Sequence, residues 1–246
     1  MEIKENSFYP MEKFNDPLYS KQIKFLRSRV LHLIDSTRSN VIGITSAVDN
    51  EGKTTLAINL ALSICTSADR SVLLVDADLI KCSITSKFGL RGAPGLSHFL
   101  NGNEKGADIL VDDSGVIALW ESGVKNLSVI PSGSPVDNSA DLLIKNTFNN
   151  LVNDMRGGFD IVIVDLPPVV STPDPASIKE KIDKFIFSYH TGKTPRGLLE
   201  DAMHEIGKER ILGVVLNRAN KEQMLKYGKQ YYYYNKQQEV TLRLIL

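Results

Sequence analysis

Residues 41–55 read Val-Ile-Gly-Ile-Thr-Ser-Ala-Val-Asp-Asn-Glu-Gly-Lys-Thr-Thr, and no other run constrains the fold as much. Its apolar, β-branched start predicts a buried strand over 41–44. A polar loop follows and ends in Gly52-Lys53-Thr54, and residues 56–62, Leu-Ala-Ile-Asn-Leu-Ala-Leu, open a helix. Strand, Gly-Lys-Thr loop and helix make the setting of a P-loop. There, backbone N–H groups of the loop and of the helix N-terminus point at phosphate oxygens. Lys53 reaches the β- and γ-phosphates, and Thr54 offers its hydroxyl to Mg²⁺. The first glycine of the strict motif falls on Ala47. Gly-Lys-Thr alone would also fit an ordinary strand–loop–helix, and it is the flanking elements that favour a nucleotide site.

The rest of the chain predicts one α/β domain. Its 246 residues, 42% of them hydrophobic, suffice for a single large core. A helix is expected over 18–35, where Ile23, Leu26, Val30, Leu33 and Ile34 recur at helical spacing. Strands are expected over 71–75, 127–131, 159–165, 185–188 and 211–217, and helices over 95–102, 140–155 and 196–206. Near-continuous apolar strands alternating with helices predict a three-layer fold, with a mostly parallel sheet covered on both faces. Ligands of such sheets sit at the carboxyl ends of the strands. The P-loop, Asp76, Asp78, Asp165 and Asn217 all fall at such ends. The domain is read as residues 18–220, flanked by a loose polar arm (1–17) and a tail (221–246). Five of the eight tyrosines lie in that tail, at Tyr227, Tyr231, Tyr232, Tyr233 and Tyr234.

Composition excludes several classes. Lys+Arg and Asp+Glu both number 29, so zero net charge argues against a nucleic-acid binder working through a global basic field. Cys65 and Cys82 fit a reducing compartment, and burial as small apolar residues accounts for both. No apolar run approaches the roughly 20 residues that span a bilayer, and the start has no signal-peptide core. The expectation is a cytoplasmic protein that reaches the inner face of the membrane only through a partner. The four histidines are scattered without ligand spacing.

Phosphoryl transfer needs a phosphate cradle, a metal, carboxylates to hold it and a group to orient the nucleophile. Asp165 ends the strand Ile-Val-Ile-Val-Asp and precedes Leu166-Pro167-Pro168, as a Walker B aspartate does. A solvated strand-end carboxylate is its bland alternative. Asp76 and Asp78 also point from a strand end, and two carboxylates there are costly unless a cation lies between them. One can hold Mg²⁺ while the other helps deprotonate an incoming hydroxyl; capping the next segment is the structural alternative for Asp78. The clustered tail tyrosines are either aromatics docked on a partner or phosphoacceptors.

These motifs together resemble the bacterial tyrosine kinases of capsule and exopolysaccharide export. The likeness covers about residues 18–234 and includes Gly95-Leu96-Ser97 and Gly192-Lys193-Thr194-Pro195. It implies ATP and Mg²⁺ as cofactors and an ATP-dependent tyrosine autokinase activity. Asp49, Asn50, Glu51, Gly52, Lys53, Thr54 and Thr55 would form Walker A, with Asn217 near the adenine. Thr54, Asp76 and Asp165 would hold the metal, Lys53, Asp76, Asp78 and Asp165 would carry catalysis, and the five tail tyrosines would accept phosphate. It further implies a homo-oligomer and a membrane polysaccharide co-polymerase acting as activator. The chain departs from the family pattern at three places. Asp49-Asn50 replace Pro-Gly, Ile80 stands where an arginine is usual, and Lys21-x-x-Lys24-x-x-Arg27 replaces Glu-x-x-Arg-x-x-Arg. A deviant-Walker positioning ATPase is the rival from another class, although Val48 stands where such proteins carry an extra lysine. A kinase-like nucleotide switch without kinase activity is the third reading.

Overall fold

The computed structural model describes residues 17–67, 69–102, 120–219 and 242–245. Helix α1 (Pro17–Thr37) precedes strand β1 (Val41–Ser46), the P-loop and α2 (Lys53–Ser67). Then come β2 (Val72–Asp76), α3 (Ser83–Lys87), α4 (Leu96–Leu100), β3 (Trp120–Glu121) and β4 (Leu127–Ile130). Helices α5 (Ser139–Leu143) and α6 (Asn146–Gly158) lead to β5 (Ile161–Asp165), and α7 (Asp174–Ser177) leads to β6 (Lys184–His190). Helix α8 (Arg196–Ile206), β7 (Ile211–Asn217) and β8 (Leu242–Ile245) complete the described elements.

The strands form one sheet in the order β3-β4-β2-β5-β1-β6-β7-β8. Among the described strands only the β3–β4 pair is antiparallel; every other neighbour is parallel. This is the three-layer, mostly parallel architecture expected from the sequence. Side chains alternate across a strand with period two, and here they feed two separate cores. Ile42, Ile44, Val72, Leu74, Ile161 and Ile163 pack toward α1 and α2. Val41, Leu73, Val75, Val162, Val164, Phe185 and Phe187 pack on the opposite face, with α6 and α8. Both faces are covered, which explains why the central strands read as unbroken apolar runs. Helix α1 contributes Ile23, Leu26, Val30 and Ile34, each at most 2% exposed. Removing each from water is worth about 1.5–3 kcal/mol.

Three differences from the sequence reading have identifiable causes. The single helix expected over 140–155 is two helices. Lys145 between them is extended (φ −57°, ψ 151°) and starts a new helix. The ammonium group of Lys181 bonds the carbonyls of Leu143 at 2.9 Å and Lys145 at 3.2 Å, so a distant side chain satisfies backbone groups at the break. Strand β8 pairs parallel to β7 (Gly213 with Leu242, Leu216 with Ile245), so the end of the stretch read as a tail belongs to the sheet. Two-residue β3 has no periodicity to detect. The five tail tyrosines and residues 1–16 of the arm lie outside the described residues. Among the described residues, no helix is long and apolar enough to cross a membrane.

Candidate nucleotide and metal site

Register places the chemistry. Asp76 and Asp165 end neighbouring parallel strands and are direct partners, so their side chains leave the sheet on the same side. Strand β1, beside β5, runs into the P-loop, so the loop rises next to both carboxylates. Ala47 is fully buried, and its backbone is not among those with positive φ, so the missing first glycine costs the loop nothing conformationally. The strain lies elsewhere. Asn50 has φ 62° and Gly52 has φ 86°. Asn tolerates the left-handed region better than most residues, which lets it replace the usual glycine. At Gly52 a Cβ would strain the left-handed backbone and collide with the Asn217 side-chain amide, which would have to shift.

The loop is held by its own buried glutamate. Oε2 of Glu51 accepts from the Val48 N–H at 3.0 Å. Oε1 accepts from the His190 N–H at 2.8 Å and from the Thr194 hydroxyl at 2.7 Å. The Glu51 carbonyl accepts from Ser188 Oγ at 2.6 Å and Asn217 Nδ2 at 2.9 Å. Its side chain is therefore a clasp between the P-loop and the β6–α8 connection, and the group it can offer a phosphate is its backbone N–H. Asn217, expected near the adenine, is tied to the loop itself. Asp49 lies on the rim in an ion pair with Lys81. Thr55 is half-buried in the first turn of α2.

Lys53, Thr54, Asp76, Asp78 and Asp165 converge, as expected. Lys53 Nζ lies 2.6 Å from Asp78 Oδ2, and both side chains are buried. Asp78 Oδ1 accepts from the Lys81 N–H at 3.0 Å. The Thr54 hydroxyl donates to Asp165 Oδ2 at 2.7 Å. Asp76 Oδ2 accepts from both the N–H (2.8 Å) and the hydroxyl (2.7 Å) of Thr85. Burial works against the charge of Lys53, but the carboxylates of Asp165, Asp78 and Asp76 outweigh it and raise its pKa. Burial pushes Asp76 up to about 7, and the neighbouring charge of Asp165 adds to the effect. Burial likewise pushes Asp165 up to about 6, against the pull of Lys53 and Thr54.

These residues fit a divalent cation. Oδ1 of Asp76 and Oδ1 of Asp165 are buried without a hydrogen-bond partner. Among the described residues no group of three or more His, Cys, Asp or Glu could hold a metal. Mg²⁺ usually takes one or two carboxylates plus substrate phosphates and water rather than an all-protein cage. Two bare carboxylate oxygens beside a P-loop threonine match that preference.

Sequence reasoning missed Thr85, Ser132, Ser188, Thr194 and Asp174. Asp174 is 1% exposed, accepts from Ser139 Oγ at 2.7 Å, and has a pKa raised chiefly by burial. Ser132, Ser188 and Thr194 bond partners 47, 137 and 143 residues away, and Thr85 bonds Asp76 from nine residues away with no motif residue of its own to mark it.

Comparison with known proteins agrees with this geometry. A family model described as an AAA domain matches residues 39–175. A tyrosine-protein kinase CpsD of Streptococcus agalactiae serotype III (strain NEM316) is 32% identical over 193 residues, 77% of this chain and 78% of the relative. The succinoglycan biosynthesis transport protein ExoP of Rhizobium meliloti (strain 1021) is 29% identical over 206 residues, 80% of this chain but 24% of that protein. The kinase domain of the Escherichia coli tyrosine kinase ETK superposes with a TM-score of 0.76 at 23% identity, covering 89% of this chain and 85% of that one.

Proposed function

Because the chain belongs to the family of bacterial P-loop tyrosine kinases, we propose that it transfers the γ-phosphoryl group of ATP to tyrosine hydroxyls, its own tail tyrosines among them. The observation that carries this reading is the convergence of Lys53, Asp78, Asp76 and Asp165 at one end of the sheet. Backbone N–H groups of the loop and of the α2 N-terminus cradle the phosphates. Lys53 neutralises the β- and γ-phosphates. Thr54, Asp76 and Asp165 hold Mg²⁺, which when bound offsets charge on the phosphate oxygens. The phenol oxygen attacks the γ-phosphorus, the bond to the β–γ bridging oxygen breaks, and ADP leaves. Asp78 takes the phenol proton. Phosphate contacts compete for the Lys53 ammonium and free Asp78 for this role. Tail tyrosines 227 and 231–234 of a neighbouring subunit are the acceptors.

The pathway reading rests on the relatives' names. ExoP is a succinoglycan transport protein, so the proposed role is control of exopolysaccharide or capsule polymerisation and export. The proposed activator is a membrane co-polymerase whose cytoplasmic segment docks on this domain and holds it at the inner face of the membrane. The test is incubation of purified protein with Mg-ATP and that segment, followed by mass-spectrometric mapping. Phosphotyrosine on the tail is expected, reduced by on the order of 10²–10³-fold in Lys53→Met. Undiminished labelling in Lys53→Met would contradict the assignment.

A further inference from the structure

Thr85 commits both of its polar groups to Asp76, nine residues earlier. Its hydroxyl also accepts the Ser132 N–H at 2.8 Å and lies 2.8 Å from Ser132 Oγ. A hydroxyl has one proton and two acceptor positions. With its proton on Asp76, both acceptor positions face Ser132, whose own Oγ–H then donates to Thr85. All three residues are at most 1% exposed. The chain Ser132, Thr85, Asp76 therefore runs in one direction, and it stops at Asp76 Oδ1, which has no partner.

We propose that Thr85, held in turn by Ser132, is a positioning residue of the metal site, fixing the carboxylate of Asp76 so that Oδ1 faces the cation. This rests on the metal–nucleotide reading above. An aspartate whose two oxygens are free turns about its terminal torsion. Pinning Oδ2 with two donors removes that freedom, and a donor that itself accepts two hydrogen bonds is polarised and holds more strongly. Asp165 makes the contrast. Its Oδ2 has one donor, the Thr54 hydroxyl, which also serves the metal. Thr85 bonds the carboxylate at the oxygen opposite the bare one. Ser132 also accepts the Ser97 N–H through its carbonyl at 2.8 Å, so the device ties the site to α4. Partners of this kind typically carry 10- to 100-fold in metal affinity, on the order of magnitude seen at other sites.

The test is an electron paramagnetic resonance titration of Mn²⁺ into the full chain saturated with ADP, paired with ADP affinity measured in EDTA. Thr85→Val is expected to weaken Mn²⁺ binding about 10- to 100-fold while leaving metal-free ADP affinity unchanged. Thr85→Ser, which keeps the hydroxyl, should restore Mn²⁺ affinity. Ser132→Ala keeps Thr85 and Asp76 intact and gives a smaller, several-fold loss, so the inference stays testable if Thr85→Val folds poorly. Wild-type Mn²⁺ affinity in both folded Thr85→Val and Ser132→Ala would overturn it. A parallel loss of metal-free ADP affinity would also overturn it, since that marks general damage. Wild-type protein that binds no Mn²⁺–ADP at all would overturn the metal–nucleotide reading itself.

Discussion

Asp76 and Asp165 meet as fully buried register partners, and each keeps one oxygen without a hydrogen-bond partner. Burial raises both above the ordinary 3.8, Asp76 to about 7 and Asp165 to about 6. The sign of the linkage follows. In the unfolded chain both ionise near pH 4, whereas in the folded, metal-free protein they hold their protons longer. Their contribution to stability is therefore full below about pH 4 and is lost as pH rises through about 6 and 7. Asp76→Asn removes one titration without removing the acceptor for Thr85. In EDTA, the melting temperature of Asp76→Asn relative to wild type is expected to climb between pH 4 and 7 and level off above. A constant offset would contradict the burial argument. Metal affinity should move the opposite way, rising through the same window because the ligands must lose their protons. Asn50 supplies a second prediction. Val at its φ of 62° costs roughly 1–2 kcal/mol, and Asn50→Val should weaken nucleotide binding about tenfold by isothermal titration. Asn50→Gly should bind at least as tightly as wild type. Equal affinities in all three would mean that the loop does not use this conformation.

At the scale of elements, the fold was legible wherever burial imposes a period. The fully buried strands β1, β2 and β5 read as apolar runs because both sheet faces are covered. Helix α1 was legible from its stripe at positions 23, 26, 30 and 34. What stayed hidden depends on tertiary partners: carbonyls at the break beside Lys145 are met by Lys181 from 36 and 38 residues away, and β8 is paired with β7. The site divides the same way. Lys53, Thr54, Asp76, Asp78 and Asp165 carry a motif, while Thr194, although it lies in the family-like phrase Gly192-Lys193-Thr194-Pro195, grips Glu51 from 143 residues away, a pairing that no local pattern shows. That clasp is itself testable. Thr194→Val leaves one of three hydrogen bonds to the Glu51 carboxylate unmade, a loss of about 1.5–3 kcal/mol for a bond to a charged group. Chemical denaturation of wild type and variant measures it. A difference below about 0.5 kcal/mol would mean the clasp does not hold the loop.

For the whole molecule, the questions are assembly and activity. Lys21 and Lys24 are exposed on α1, whereas Arg27 is turned inward and donates to the carbonyl and hydroxyl of Ser63 at 3.0 and 3.2 Å. Lys21 stands where the family's assembly motif has its glutamate, and loss of that acidic member counts against the family's usual ring. Each tail phosphate adds about −1.5 to −2 charges. Unphosphorylated subunits should therefore associate and phosphorylated ones come apart, as light scattering before and after phosphatase treatment would record. A monomer under both conditions would remove the trans-acting tail from the account. The central claim is phosphoryl transfer to tyrosine, and one experiment addresses it directly. ADP release and phosphotyrosine are followed in the same sample, with Mg-ATP and the cytoplasmic segment of the co-polymerase present. The account predicts that both appear together, close to one phosphotyrosine per ADP at early times, and that both vanish in Lys53→Met. ADP release without phosphotyrosine would identify a positioning ATPase instead, and nucleotide binding with neither product would identify a switch.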